Sequence, residues 1–158
     1  MPRAAVDRAL TTAQATYAAM LRDWIAPRLR ELGFRGSGGT YLLPDERRWA
    51  LIGFQKDRYS DARQVRFTVN VAVADRAAWE AARAEHPWLP PRPSGNTHYP
   101  IGDLVRIGQL LPARVDTWWV VPAAAPTDGV ADEVVRAIRD YALPWMREHL
   151  GSARPTRS

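Results

Sequence analysis

Residues 64–74 read QVRFTVNVAVA, and no other stretch constrains the fold as tightly. Val65, Phe67, Val69, Val71 and Val73 take every second position. Successive side chains of a strand point to opposite faces, so these residues make one apolar face. Arg66, Thr68, Asn70 and Ala72 fall on the other. Residues 48–56, RWALIGFQK, supply a second strand, with Ala50, Ile52 and Phe54 on one side and Trp49, Leu51, Gly53 and Gln55 on the other. If the two strands form a hairpin, Phe54 shares the valine face, because a one-residue slip would move the whole apolar set to the wrong side. Gln55 then joins Arg66, Thr68 and Asn70. The favoured expectation for that polar surface is the solvent side of an antiparallel sheet. A covering loop or helix would turn it into a groove.

The remaining chain supplies partners for the apolar face. Residues 4–32 carry the three-to-four spacing of a long amphipathic helix, with Pro27 predicting a kink or break near 23–27. Gly33 stands where a helix C-terminal glycine belongs. RGSGGT at 35–40 follows a helix and precedes a strand-like stretch at 40–43, so it reads as a turn needing positive φ and not as a phosphate loop. Residues 75–85 read as a short helix capped by Asp75, and 86–100 as a long Pro-rich loop. Residues 104–111 and 116–121 are expected to pair as a hairpin around PARV. A closing helix spans 126–142, capped by Thr127 or Asp128; Pro144 breaks it, and a last turn ends at Gly151. No internal repeat stands out. The expected class is α+β: an antiparallel sheet of about five strands with helices mainly on one face, in a single domain over 1–150, followed by a flexible basic tail at 151–158.

The chain has no cysteine, which excludes disulfides, thiolate metal sites and a cysteine nucleophile. His86, His98 and His149 lack metal-ligand spacing, and neither a nucleophile elbow nor a zinc-protease motif is present; no metal and no cofactor are implied. The first residues lack the apolar core of a signal peptide, and no run is long enough to span a membrane, so a cytoplasmic protein without a membrane partner is expected. The net charge of +5 raises the case for a polyanion. Arg22, Arg28, Arg30, Arg35, Arg47 and Arg48 are diluted by Asp23, Glu31, Asp45 and Glu46, which makes nucleic-acid binding the lesser alternative.

Lys56 is the only lysine, set in GFQKDRYSD at 53–61. Alternation places it on the core side at a strand end, with Asp57 and Asp61 near enough in sequence to pair with it. Those carboxylates and the exposure of a loop favour the ammonium form, against a nucleophilic lysine. Adjacent Trp118 and Trp119 must point to opposite sheet faces; an exposed Trp beside Arg66 or Arg106 would mark a ligand or partner surface. Asn96 and His98, near Tyr99, are candidate pocket-lining residues.

LRELGFRGSGGTYLL, FQKDRY, FTVNVAV, RIGQLLP with DTWW, and YALPWM follow one another in an order that resembles a family of small bacterial proteins known as a domain of unknown function. The resemblance spans residues 29–146 and implies Gln55, Lys56, Thr68 and Asn70 as signature positions. Members commonly carry Ser after the Lys, where this chain has Asp57. The resemblance implies no activity.

The leading expectation is therefore a non-enzymatic binding module of a regulatory or toxin-neutralising type. It would present Gln55, Lys56, Arg66, Thr68, Asn70 and Arg106 to a protein partner or a small ligand. The alternative is an enzyme acting on a small substrate around Gln55, Lys56 and Asn70.

Overall fold

The computed structural model describes residues 11–151. The expected helical residues 4–10 and the tail after Gly151 lie outside the described residues. The first described helix, α1 (Ala13–Met20), starts where the Thr12 hydroxyl accepts a hydrogen bond from the Ala15 N–H at 3.1 Å. A π-helical turn, Leu21–Ile25, leads into α2 (Ala26–Glu31). The strands β1 (Arg35–Ser37), β2 (Thr40–Leu42), β3 (Arg48–Lys56) and β4 (Gln64–Asp75) follow, then α3 (Arg76–Glu85). β5 (Asp103–Arg106) and β6 (Trp119–Pro122) complete the sheet. α4 (Asp128–Ala137), a second π-helical turn (Ile138–Ala142) and α5 (Leu143–Gly151) close the described chain.

The fold is α+β, with a six-stranded antiparallel sheet. β3 pairs with β4 in the register expected from alternation, Phe54 opposite Val69 and Gln55 opposite Thr68. The additional strand comes from RGS at the start of the glycine turn, where Gly36 and Gly38 take φ of 135° and 62°. β5 and β6 do not pair with each other as a hairpin. Both add to the same edge of β4, β5 along Asn70–Val73 and β6 along Gln64–Phe67. β4 is twelve residues long, enough to hold two four-residue strands in tandem. The segment between them folds back so closely that a Cβ on Gly108 would lie 2.1 Å from the Val115 carbonyl oxygen.

The helices α1, α2, α4 and α5 bury the valine face. Phe54, Phe67 and Trp119 stack in sequence across the strands, at centroid separations of 6.1 and 5.8 Å, and Tyr17 packs on Phe67 at 5.0 Å. Pro144 does not break the last helix. It is the second residue of α5, as Pro27 is the second of α2, and each follows a π-helical turn. Proline has no N–H and crowds the carbonyl four residues back. Ahead of each, Ala26 and Leu143 bond to carbonyls five residues back, Leu21 and Ile138, which widens the turn. The two turns share a local sequence, LRDWIAP and IRDYALP, so the chain does hold a short internal repeat. In both copies the adjacent Arg and Asp pair at 2.8 Å, Arg22 with Asp23 and Arg139 with Asp140.

Much of the opposite sheet face is covered, while Arg66 stays exposed toward one end and Gln55 is half-buried. Leu51 and Thr68 are fully buried, and Asn70 is 4% exposed. α3 turns onto this side: Arg76 stacks over the Trp49 ring at 3.8 Å, and buried Trp79 donates to the Pro90 carbonyl at 2.9 Å. The Pro-rich segment, residues 86–102, forms a strap held by Trp79, whose ring meets Tyr99 edge-on at 4.8 Å. Trp79 and the proline run thus supply a cover that alternation alone leaves undecided.

Candidate functional site

The strap reaches the sheet at Gly95 and Asn96. Two glycines permit the approach. A Cβ on Gly53 would lie 2.3 Å from Asn96 Oδ1 and 2.8 Å from the Gly95 carbonyl carbon, and a Cβ on Gly95 would lie 2.7 Å from the Gly53 nitrogen. Asn96 Nδ2 donates to the Phe54 main-chain carbonyl at 3.1 Å. Its Oδ1 accepts from Asn70 Nδ2 at 3.0 Å, and Asn70 Nδ2 also donates to Gln55 Oε1 at 2.7 Å.

One anchor orients all three amides. A main-chain carbonyl only accepts, so Asn96 must turn its NH2 to Phe54 and its oxygen to Asn70. Asn70 must then present its NH2, and Gln55 its oxygen. Within the described residues no donor reaches Asn70 Oδ1 and no acceptor reaches Gln55 Nε2. The network ends in one unused acceptor and one unused donor.

Beside the amides stands Trp118, half-buried, between two arginines. Its ring centroid lies 4.6 Å from the Arg66 guanidinium carbon and 5.2 Å from that of Arg106. Arg106 sits opposite Asn70 in the sheet. Its Nη1 pairs with Asp116 at 3.2 Å, and the same carboxylate accepts from Trp118 Nε1 at 2.8 Å. Arg66 pairs with Asp57 at 2.9 Å. The Tyr59 N–H and the Arg66 guanidinium hold the Asp57 carboxyl below the usual carboxylate range. Thr68 directs its hydroxyl to the Thr117 carbonyl at 2.7 Å, tying down the segment that carries Trp118.

Gln55, Arg66, Thr68, Asn70 and Arg106 therefore share one face, as alternation requires. Lys56 does not join them. It lies on the helix face, exposed, with Nζ 6.0 Å from the Tyr17 ring centroid. Nor does it pair with its neighbouring acids: Asp57 serves Arg66, and Asp61 accepts from the Arg63 and Gln64 N–H groups to shape the β3–β4 turn. A polar groove of about 290 Å³ opens at that turn, lined by Asp57, Tyr59, Ser60, Asp61, Arg63, Gln64 and Arg66, and it touches the amide face only through Arg66. Asp116 and Thr117 are the site residues that sequence reasoning misses; an Asp two positions before an outward-facing Trp is their only signal.

Among the described residues no helix is long and apolar enough to cross a membrane. No curated protein and no solved structure matches the chain. Residues 25–148 match the family described as Domain of unknown function (DUF4304), and the chain belongs to that family.

Proposed function

We propose that this chain is a non-enzymatic binding module, cytoplasmic in setting and regulatory or toxin-neutralising in type. It takes a protein partner or small ligand on the face formed by Gln55, Asn70, Arg66, Arg106 and Trp118. The observation that carries the reading is Trp118, bracketed by Arg66 and Arg106 beside an amide pair with unused hydrogen-bonding capacity. Trp and Arg dominate binding energy at interfaces, because they bury large areas while keeping a polar handle. Both arginines are partly exposed, and their ion pairs lie at the surface, where such pairs contribute only about 0–1 kcal/mol. A partner can rearrange them at small cost.

The enzymatic alternative draws on Gln55, Lys56 and Asn70 acting together. Lys56 stands across the sheet from the other two, which favours binding over chemistry at this face. The nucleic-acid alternative draws on the arginines near the first helices. Arg22 and Arg28 are paired with Asp23 and Asp132, which offsets part of the charge it needs.

Affinity capture from lysate of the source cells, run with and without nuclease, tests the reading, comparing wild type with Trp118→Ala after both are shown to be folded. A species held by wild type and lost by the variant is expected. Equal capture by both, or capture that vanishes with nuclease, would sink it.

A further inference from the structure

We infer that the ligand of this face presents an amide group, a carbonyl acceptor and an N–H donor borne together. The inference rests on the binding reading above and specifies its chemistry. Asn70 is 4% exposed, and its Oδ1 has no protein donor among the described residues. Gln55 is half-buried, and its Nε2 has no protein acceptor among the described residues. Two carboxamides left to themselves can close a cyclic pair with two hydrogen bonds. Here only one forms, Asn70 Nδ2 to Gln55 Oε1, and the return bond from Gln55 Nε2 to Asn70 Oδ1 is absent.

Asn96 explains the open pair. It takes the second hydrogen of Asn70 Nδ2 and is itself fixed by the Phe54 carbonyl. Neither Asn70 nor Asn96 can exchange nitrogen for oxygen without setting acceptor against acceptor or donor against donor. The face therefore offers a donor on Gln55 and an acceptor on Asn70, with fixed polarity. A carboxylate has no hydrogen for Asn70 Oδ1. An ammonium has no lone pair for Gln55 Nε2. A peptide group or a carboxamide has both. Burying the Asn70 oxygen beneath a ligand that cannot donate leaves an acceptor unsatisfied, which is the basis of selectivity.

The test uses the full chain labelled with nitrogen-15 and follows its side-chain NH2 signals by NMR. Acetamide, N,N-dimethylacetamide and acetate are titrated separately. Acetamide is expected to shift the Gln55 and Asn70 signals saturably, with binding about tenfold weaker for dimethylacetamide and acetate, each of which lacks the donor. Gln55→Glu keeps the acceptor facing Asn70 and removes the free donor; its spectrum is expected to stay folded and its acetamide response to disappear. Equal responses to the three probes, an unchanged response in Gln55→Glu, or no response to acetamide would overturn the inference. N-acetylglycine N-methylamide binding more tightly than acetamide would assign the amide to a polypeptide; the reverse order would assign it to a small carboxamide. If acetamide fails while a partner is still lost with Trp118→Ala, the ligand class falls and the binding reading stands. If both fail, both fall.

Discussion

Asn70 and Gln55, on neighbouring strands, are joined by a single 2.7 Å hydrogen bond whose direction is set from outside the pair, by Asn96 on the Phe54 carbonyl. The strap is thus part of the site and not merely its cover. Asn96→Ala removes the anchor and leaves the part-buried Phe54 carbonyl and one Asn70 hydrogen without partners. A loss of about 1–3 kcal/mol is expected in urea unfolding, together with faster amide exchange over 53–55 and 93–97. Asn96→Asp should cost at least as much, since a carboxylate cannot donate to Phe54.

Gly53→Ala tests the close approach independently of hydrogen bonding. Its new methyl group would collide with the Gly95 main chain, which cannot swing aside as a flexible side chain can. A loss of about 1–3 kcal/mol is expected. Gly129→Ala serves as the contrast. That position is helical and open, with nothing within 4 Å, so the alanine should stabilise by about 0.5–1 kcal/mol.

Much of this arrangement was legible in the chain. The alternation of Val65 through Val73 sets the two faces and, with Phe54, the β3–β4 register. It placed Gln55, Arg66, Thr68 and Asn70 together and Trp118 opposite Trp119. The strap was less legible, because its hold on the sheet depends on Gly53 meeting Gly95, two residues far apart in sequence whose only mark is a missing side chain. The separate pairing of β5 and β6 has a similar origin. Short strands separated by a turn suggest a hairpin, but β4 offers an edge twelve residues long, and both strands pair with it instead of with each other. Nearness in sequence does not give Lys56 an ion partner, because Asp57 turns to the other sheet face and meets Arg66.

Tyr41 carries a buried hydroxyl with no hydrogen-bond partner among the described residues, and burial raises its phenol pKa. Removing an unsatisfied buried hydroxyl relieves its desolvation. Tyr41→Phe is expected to be neutral or to stabilise by about 1 kcal/mol, read as an unchanged or raised midpoint in thermal or urea unfolding. A clear loss would mean that the hydroxyl has a partner.

Asp57 gives the pH dependence. Its folded pKa is depressed below its unfolded value, chiefly by the Tyr59 N–H and then by Arg66. Its contribution is thus fully present above the unfolded pKa, about 3.9, and is lost as pH falls through the lower folded value. A carboxyl carbon titration is expected to place its midpoint below that reference, and Arg66→Gln to move the midpoint upward without restoring it fully, because the Tyr59 bond remains.

The central claim is that the amide–tryptophan face, and not the helix layer, meets the partner. The helix layer offers a competitor, since Trp24 and Tyr141 are exposed on the two π-helical turns. The most direct measurement is an NMR map of the labelled chain before and after addition of source-cell lysate. We expect the signals of Gln55, Asn70 and the Trp118 indole N–H to move or broaden while those around Trp24 and Tyr141 stay in place. Changes confined to Trp24 and Tyr141, or none at the amide face, would contradict the account.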